Sequence, residues 1–160
     1  MTENTRCGFV AIIGAPNAGK STLINALAGE KISIVSSKIQ TTRMPVRGIV
    51  MHGVSQIIFV DTPGIFSPEK RLERAMVSSA WQAGSDADII VLVVDVSRKK
   101  IDSETRAILK RISESGTAQP VILVLNKIDR IGPPELMPLA QELNKTCNFS
   151  ATFMISAKKA

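Results

Sequence analysis

Residues 14–21 read Gly14-Ala15-Pro16-Asn17-Ala18-Gly19-Lys20-Ser21, a G-x-x-x-x-G-K-S run. The apolar stretch Gly8-Phe9-Val10-Ala11-Ile12-Ile13 before it reads as a buried strand. Ser21 to Ala28 after it reads as a helix that stops at Gly29. A glycine-rich turn between strand and helix is the setting in which backbone N–H groups, here those of Asn17, Ala18, Gly19, Lys20, Ser21 and Thr22, close around phosphate oxygens. The Lys20 amine is then placed to reach the β- and γ-phosphates and the Ser21 hydroxyl to bind magnesium. The helix N-terminus adds the positive end of its dipole beneath the same anion. This is a phosphate-binding loop, and by itself it leaves open which nucleotide is held.

Further along, Gln56-Ile57-Ile58-Phe59-Val60-Asp61-Thr62-Pro63-Gly64 is a strand that delivers an acid and a glycine at its carboxyl end. Open α/β sheets bind ligands at that edge. Asp61 is placed to hold magnesium directly or through water, and Gly64 to bring its N–H to a γ-phosphate without side-chain hindrance. A D-x-x-G alone is too short to mean much; after a phosphate loop and at a strand end it is informative. Asn126-Lys127-Ile128-Asp129 follows the apolar strand Pro120–Leu125. A carboxylate there accepts both N1–H and the exocyclic amine of guanine. Adenine lacks both donors and would leave the carboxylate unpaired, so the motif selects guanine. Ser156-Ala157-Lys158, after the last strand, fits a short loop whose backbone N–H contacts the guanine oxygen. Thr41-Thr42-Arg43 lies in the irregular stretch Glu30–Pro45, where a threonine hydroxyl can complete a magnesium shell only when the γ-phosphate is present.

Outward from these motifs, apolar runs alternate with helical patterns, the signature of a mostly parallel sheet covered on both faces. Val46–Met51 and Gln56–Asp61 flank a turn at His52-Gly53 short enough to require one antiparallel pairing. Further strands are predicted at Asp88–Asp95, Pro120–Asn126 and Ala151–Ser156, and helices near Glu69–Ala83, Asp102–Ser115 and Pro134–Cys147. Pro138 is compatible with the last helix only near its first turn. The 160 residues, 44% hydrophobic and 21% charged, suit one folded domain with one core. The longest apolar run, Ile89–Val94, is far too short to span a bilayer, and Met1–Arg6 lacks the features of a secretory signal. Cys7 and Cys147 form no metal pattern and read as reduced cytosolic thiols. The net charge of +6 makes a polyanionic partner plausible, whether nucleic acid, ribosome or anionic membrane. No aromatic residues interleave with the densest basic cluster, Arg98-Lys99-Lys100 with Arg106, Lys110 and Arg111, so it is no base-stacking platform.

Taken in order, the motifs resemble the translation-factor class of GTPases. Cys7–Ile12, the Pro16-Asn17 pair, Lys31–Ser36 and Lys38-Ile39-Gln40-Thr41-Thr42-Arg43 narrow the resemblance to the Era family of bacterial ribosome-assembly GTPases. The resemblance implies a three-layer P-loop GTPase fold over residues 1–160, its mostly parallel sheet carrying one antiparallel strand. It also implies binding of GTP and GDP with Mg2+, hydrolysis of GTP, and a part in maturation of 16S rRNA in the small ribosomal subunit. Within it Thr42 maps to the magnesium ligand beside Ser21 and Asp61. Lys20, Thr42, Gly64 and Asn17 are the residues expected to act in hydrolysis. A cytoplasmic monomer, able to associate peripherally with the inner membrane, is the corresponding expectation. Ala18 and Ala160 are small departures that remove no phosphate or base contact.

Where many GTPases place a water-orienting glutamine after the D-x-x-G glycine, this chain has Ile65. Related GTPases with the equivalent of Asn17 bind K+ near the phosphates, so the resemblance implies slow turnover stimulated by potassium. Era proteins also carry a C-terminal KH domain, and no G-x-x-G loop in a basic context is found here. The expectation is therefore a C-terminally truncated GTPase domain without its final helix, with an apolar strip exposed on the sheet. Two other readings are a nucleotide-dependent ribosome- or RNA-docking module with little hydrolysis of its own, and a sibling GTPase of large-subunit assembly or tRNA modification.

Overall fold

In a computed structural model the apolar runs become one six-stranded sheet. The structure describes residues 5–29, 46–67 and 71–159. The elements run β1 (Arg6–Ile13), α1 (Lys20–Ala28), β2 (Val46–His52), β3 (Ser55–Asp61), α2 (Arg71–Asp86), β4 (Ile89–Asp95), α3 (Ser103–Ser115), β5 (Val121–Asn126), α4 (Pro133–Thr146) and β6 (Ala151–Ile155). The strand order is β2-β3-β1-β4-β5-β6. Only β2 is antiparallel, paired with β3 through the expected short turn, in which Gly53 takes a left-handed φ of 57°. The parallel strands β3, β1, β4 and β5 bring Asp61, Ile13, Asp95 and Asn126 to one edge, where the connecting loops gather.

The two faces of the sheet are covered unequally. On one, α2, α3 and α4 pack Ala80, Ile108, Leu109, Ile112, Leu139 and Leu143 against the β4 and β5 side chains Ile90, Leu92, Leu123 and Leu125. On the other, among the described residues, α1 is the helix that sets side chains, Leu23 and Ile24, against Ile12, Phe59, Val91 and Val93. Phe153 is 53% exposed, and Val10, Ile89 and Ile122 are only partly buried.

Several details differ from the sequence expectation, and the helices show local reasons. Helix α2 continues past Ala83 to Asp86, and the Gln82 amide donates to the Asp86 carboxylate at 3.0 Å across the added turn. Helix α3 starts one residue late because Asp102 is its cap, accepting from the Thr105 N–H at 2.7 Å. In α4, Pro138 stands in the second turn rather than the first. A proline there costs roughly 3 kcal/mol. Leu136, Leu139, Ala140 and Leu143 are all buried by the same helix, and at roughly 1.5–3 kcal/mol for each large side chain their burial outweighs that cost.

The basic cluster is partly spent within the molecule. Lys99 pairs with Glu135 at 2.8 Å, Arg106 with Glu142 at 3.2 Å and Lys110 with Glu114 at 3.8 Å. The Arg111 guanidinium lies 4.5 Å over the Trp81 ring. Cys7 and Cys147 are free thiols, as expected. Among the described residues no helix is long and apolar enough to cross a membrane.

Candidate nucleotide site

The phosphate end is a tight turn that leaves no room for side chains. A Cβ on Gly14 would come within 2.4 Å of the Val93 carbonyl oxygen. One on Gly19, whose φ is +99°, would come within 2.2 Å of the Asn126 amide nitrogen. Lys20 opens α1 and is 8% exposed, its amine donating to the carbonyls of Gly14 (3.1 Å) and Ala15 (2.9 Å). Burial pushes the Lys20 amine below the usual lysine range, while the charge of Asp61 works the other way. The lysine is thus held inside the loop against two carbonyls, and a phosphate is a better partner than either.

The D-x-x-G turn is pinned to this loop. The Thr62 hydroxyl, buried, donates to the Ile12 carbonyl at 2.6 Å, and the Ile65 N–H donates to the Gly14 carbonyl at 3.0 Å. Gly64 lies against Pro16, so close that a Cβ would be 2.9 Å from the Pro16 Cα. Ile65, 5% exposed, turns its side chain into the large core beneath α2 rather than toward the phosphates. Ser21, at the start of α1, and Asp61, opposite Ile12 at the end of β3, are hard oxygen donors beside Lys20. Such a set fits magnesium, which takes one or two protein oxygens and fills its shell with phosphate and water. Thr42, with the rest of Glu30–Pro45 and the Lys31–Ser36 and Lys38–Arg43 segments, lies outside the described residues, as does Ala160.

The base end is assembled from loops far apart in sequence. Asn126 is 2% exposed and fully engaged. Its amide donates to the Ala18 carbonyl at 2.9 Å, and its oxygen accepts from the N–H groups of Lys127 (2.9 Å) and Ala157 (3.0 Å). It therefore rivets the phosphate loop, the β5 turn and the loop after β6 to one another. In the loop expected to bring a backbone N–H to a guanine oxygen, the Ala157 N–H donates to Asn126 in this structure. Asp129 is exposed, and the Ser156 hydroxyl donates to it at 2.7 Å, holding the carboxyl below the usual carboxylate range. A cavity of about 330 Å³ is lined here by Gly19, Thr22, Asn126, Lys127, Asp129, Arg130, Ser156 and Lys158. A larger open groove of about 710 Å³ lies between the ends of α3 and α4, away from every motif.

The structure thus brings together Asn17, Ala18, Gly19, Lys20, Ser21, Asp61 and Gly64 at one end, and Asn126, Lys127, Asp129, Ser156 and Lys158 at the other. Sequence reasoning missed Thr62 and Arg130, and it missed that Ser156 works through its hydroxyl. The serine's place two residues before a lysine in an otherwise ordinary loop carries no signal for that bond.

The family model described as 50S ribosome-binding GTPase matches residues 9–127. GTPase Era of Dinoroseobacter shibae is 53% identical over 163 aligned residues, covering 99% of this chain and 53% of that protein. A crystal structure of Era in complex with MgGDPNP and nucleotides 1506–1542 of 16S ribosomal RNA superposes with a TM-score of 0.79 at 41% identity, covering 98% of this chain and 53% of that one. Aquifex aeolicus Era, as a variant bound to GDP.AlF4-, gives a TM-score of 0.77 at 42% identity, covering 96% and 52%. The chain spans about half the length of the relatives it matches.

Proposed function

The chain belongs to the family of 50S ribosome-binding GTPases, and from that premise we propose that it binds GTP and hydrolyses it to GDP and phosphate as a molecular switch. The observation that carries the reading is Asn126, whose bond to the Ala18 carbonyl joins a phosphate loop and a guanine-reading carboxylate into one site. Asp129 accepts from the guanine edge, and the phosphate-loop N–H groups with Lys20 balance the charge that develops on the transferred phosphoryl group. Bound magnesium supplies further charge neutralisation at the β- and γ-oxygens. The γ-phosphate engages the Gly64 N–H and the Thr42 hydroxyl, and hydrolysis releases both contacts.

Ile65 has no hydrogen bond to offer an attacking water and sits in the core. Intrinsic turnover is accordingly slow. Asn17 is the residue that would hold K+ near the phosphates, where the ion would supply the positive charge that an arginine finger supplies elsewhere. The same isoleucine favours a second reading, in which nucleotide serves chiefly to regulate docking to RNA. For the whole protein the partner is the small ribosomal subunit, through 16S rRNA. The family-wide description refers to the 50S subunit, but the individual relatives most informative here are Era proteins, one of them solved with a 16S segment. The whole protein is a cytoplasmic monomer that associates peripherally with the inner membrane.

The direct test compares GTP, GDP and ATP binding with Mg2+ present, then follows phosphate release from GTP. Guanine-selective binding with release abolished in Lys20→Ala supports the switch. Binding without release supports the docking module, and equal rates in sodium and potassium buffers remove the potassium step. A 16S fragment that the full-length protein binds equally well with GTP, GDP or no nucleotide would remove the switch from the RNA role.

A further inference from the structure

Asp95 stands at the end of β4, opposite Asn126 in the parallel register, and belongs to none of the nucleotide motifs. Its carboxylate is largely buried and fully used. One oxygen accepts from the Ser97 N–H (2.9 Å) and the Ser97 hydroxyl (2.6 Å), and the other accepts from the Lys127 ammonium. The same ammonium donates to the Asn17 carbonyl at 2.8 Å. Lys127 reaches this position because its backbone is in the left-handed region, φ 69°, with its N–H turned onto Asn126. Burial alone would raise the Asp95 carboxyl, but the donors from Lys127 and Ser97 hold it below the usual carboxylate range, so the carboxylate is ionised at neutral pH.

We infer that Asp95 is a positioning residue for the nucleotide, acting through Lys127 to clamp the Asn17 turn of the phosphate loop to the base loop before any ligand arrives. A lysine side chain free in solution has many rotamers, and ordering it on binding weakens affinity. Asp95 removes that loss in advance. Because the ammonium then holds the carbonyl between Asn17 and Ala18, the peptide that must turn its N–H toward phosphate is oriented by a carboxylate that touches no part of the ligand. Ser97 sets the aim of that carboxylate in turn. This rests on the guanine-nucleotide reading of the site and adds to it the residue that couples its two halves.

The experiment measures dissociation of a fluorescent GDP from the wild-type chain and from Asp95→Asn, Lys127→Met, the double variant and Ser97→Ala, each checked by thermal melting. Asp95→Asn keeps the shape and removes the charge, and is expected to speed dissociation about tenfold with little change in association. Ser97→Ala, which leaves every nucleotide contact intact, is expected to give a smaller rise of about threefold. The double variant is expected to be no faster than Lys127→Met alone, because Asp95 has no route to the ligand except the lysine. A merely structural role would instead make the two losses multiply, and that result overturns the inference. An unchanged rate in a folded Asp95→Asn also overturns it; if that variant fails to fold, an unchanged rate in Ser97→Ala does so. A wild-type chain that does not bind GDP overturns the nucleotide reading itself, and this inference with it.

Discussion

The two ends of the nucleotide site are built by different means. The phosphate end is eight consecutive residues whose backbone does the work, its glycines required because Val93 and Asn126 approach within the radius of a Cβ. The base end is a convergence of Ala18, Asp95, Asn126 and Ala157, joined by one buried side chain and one clamped ammonium. A local loop tolerates little change in its own residues, even though Asn126 and Lys127 hold it from a distance. A convergent site depends on every strand that delivers a piece of it.

The largest expected effect separates the ends cleanly. Asp129→Asn replaces one of the two carboxylate acceptors with an amide donor that faces a guanine donor, so GDP affinity should fall by about 10⁴-fold. Xanthosine diphosphate, with a carbonyl where guanine has its amine, should bind this variant; calorimetry of both ligands checks it, and loss of both would mean that the ends are not separable. Lys20→Met should weaken GDP by about 100-fold through loss of charge-assisted contacts to phosphate. Its ligand-free melting temperature should not fall, because burial disfavours the ammonium that is removed. The same shift has a pH consequence. The lowered pKa means that Lys20 loses its proton below the ordinary value of 10.5 as pH rises, so wild-type GDP affinity should decline on the alkaline side by up to tenfold per pH unit above that point.

Asn126→Ala should damage both ends together. It orphans the N–H groups of Lys127 and Ala157 and the Ala18 carbonyl, at roughly 1–3 kcal/mol for each buried group left unpaired. A loss of about 3 kcal/mol would lower the melting temperature of a domain this size by roughly 6–12 °C. Calorimetry that finds the melting point unmoved would show the rivet to be dispensable. The smallest effect sharpens the base end alone. Ser156→Ala should weaken GDP only about threefold at neutral pH, since Asp129 stays ionised and exposed. On acidification the variant should lose GDP earlier than the wild type. Ser156 holds the Asp129 carboxyl low, and without it the acceptor is protonated at a higher pH.

Legibility in the sequence followed the same division. Gly14–Ser21, Asp61–Gly64 and Asn126–Asp129 announce themselves because their residue types and spacing are set by local geometry at strand ends. The antiparallel β2–β3 pair was legible because two residues can only turn the chain back. Pro138 was misread because a helix rule considers one turn at a time, whereas four buried neighbours on α4 decide the balance. Asp95, Thr62 and the hydroxyl of Ser156 left no mark, being common residues whose partners lie between 27 and 50 positions away.

By itself the sequence determined that a loop of the phosphate-binding pattern stands at a strand–loop–helix turn, that a carboxylate suited to guanine follows a later strand, and that isoleucine rather than glutamine follows the D-x-x-G glycine. Only the tertiary structure decided that these pieces meet at one edge of the sheet, that Ile65 is withdrawn into the core, and that Asn126, Asp95 and Lys127 tie one end to the other. The physical reason is range. Backbone conformation and hydrogen-bond capacity are properties of neighbouring residues, whereas the register of parallel strands is set by burial across the whole sheet, and that register places Asp95 opposite Asn126.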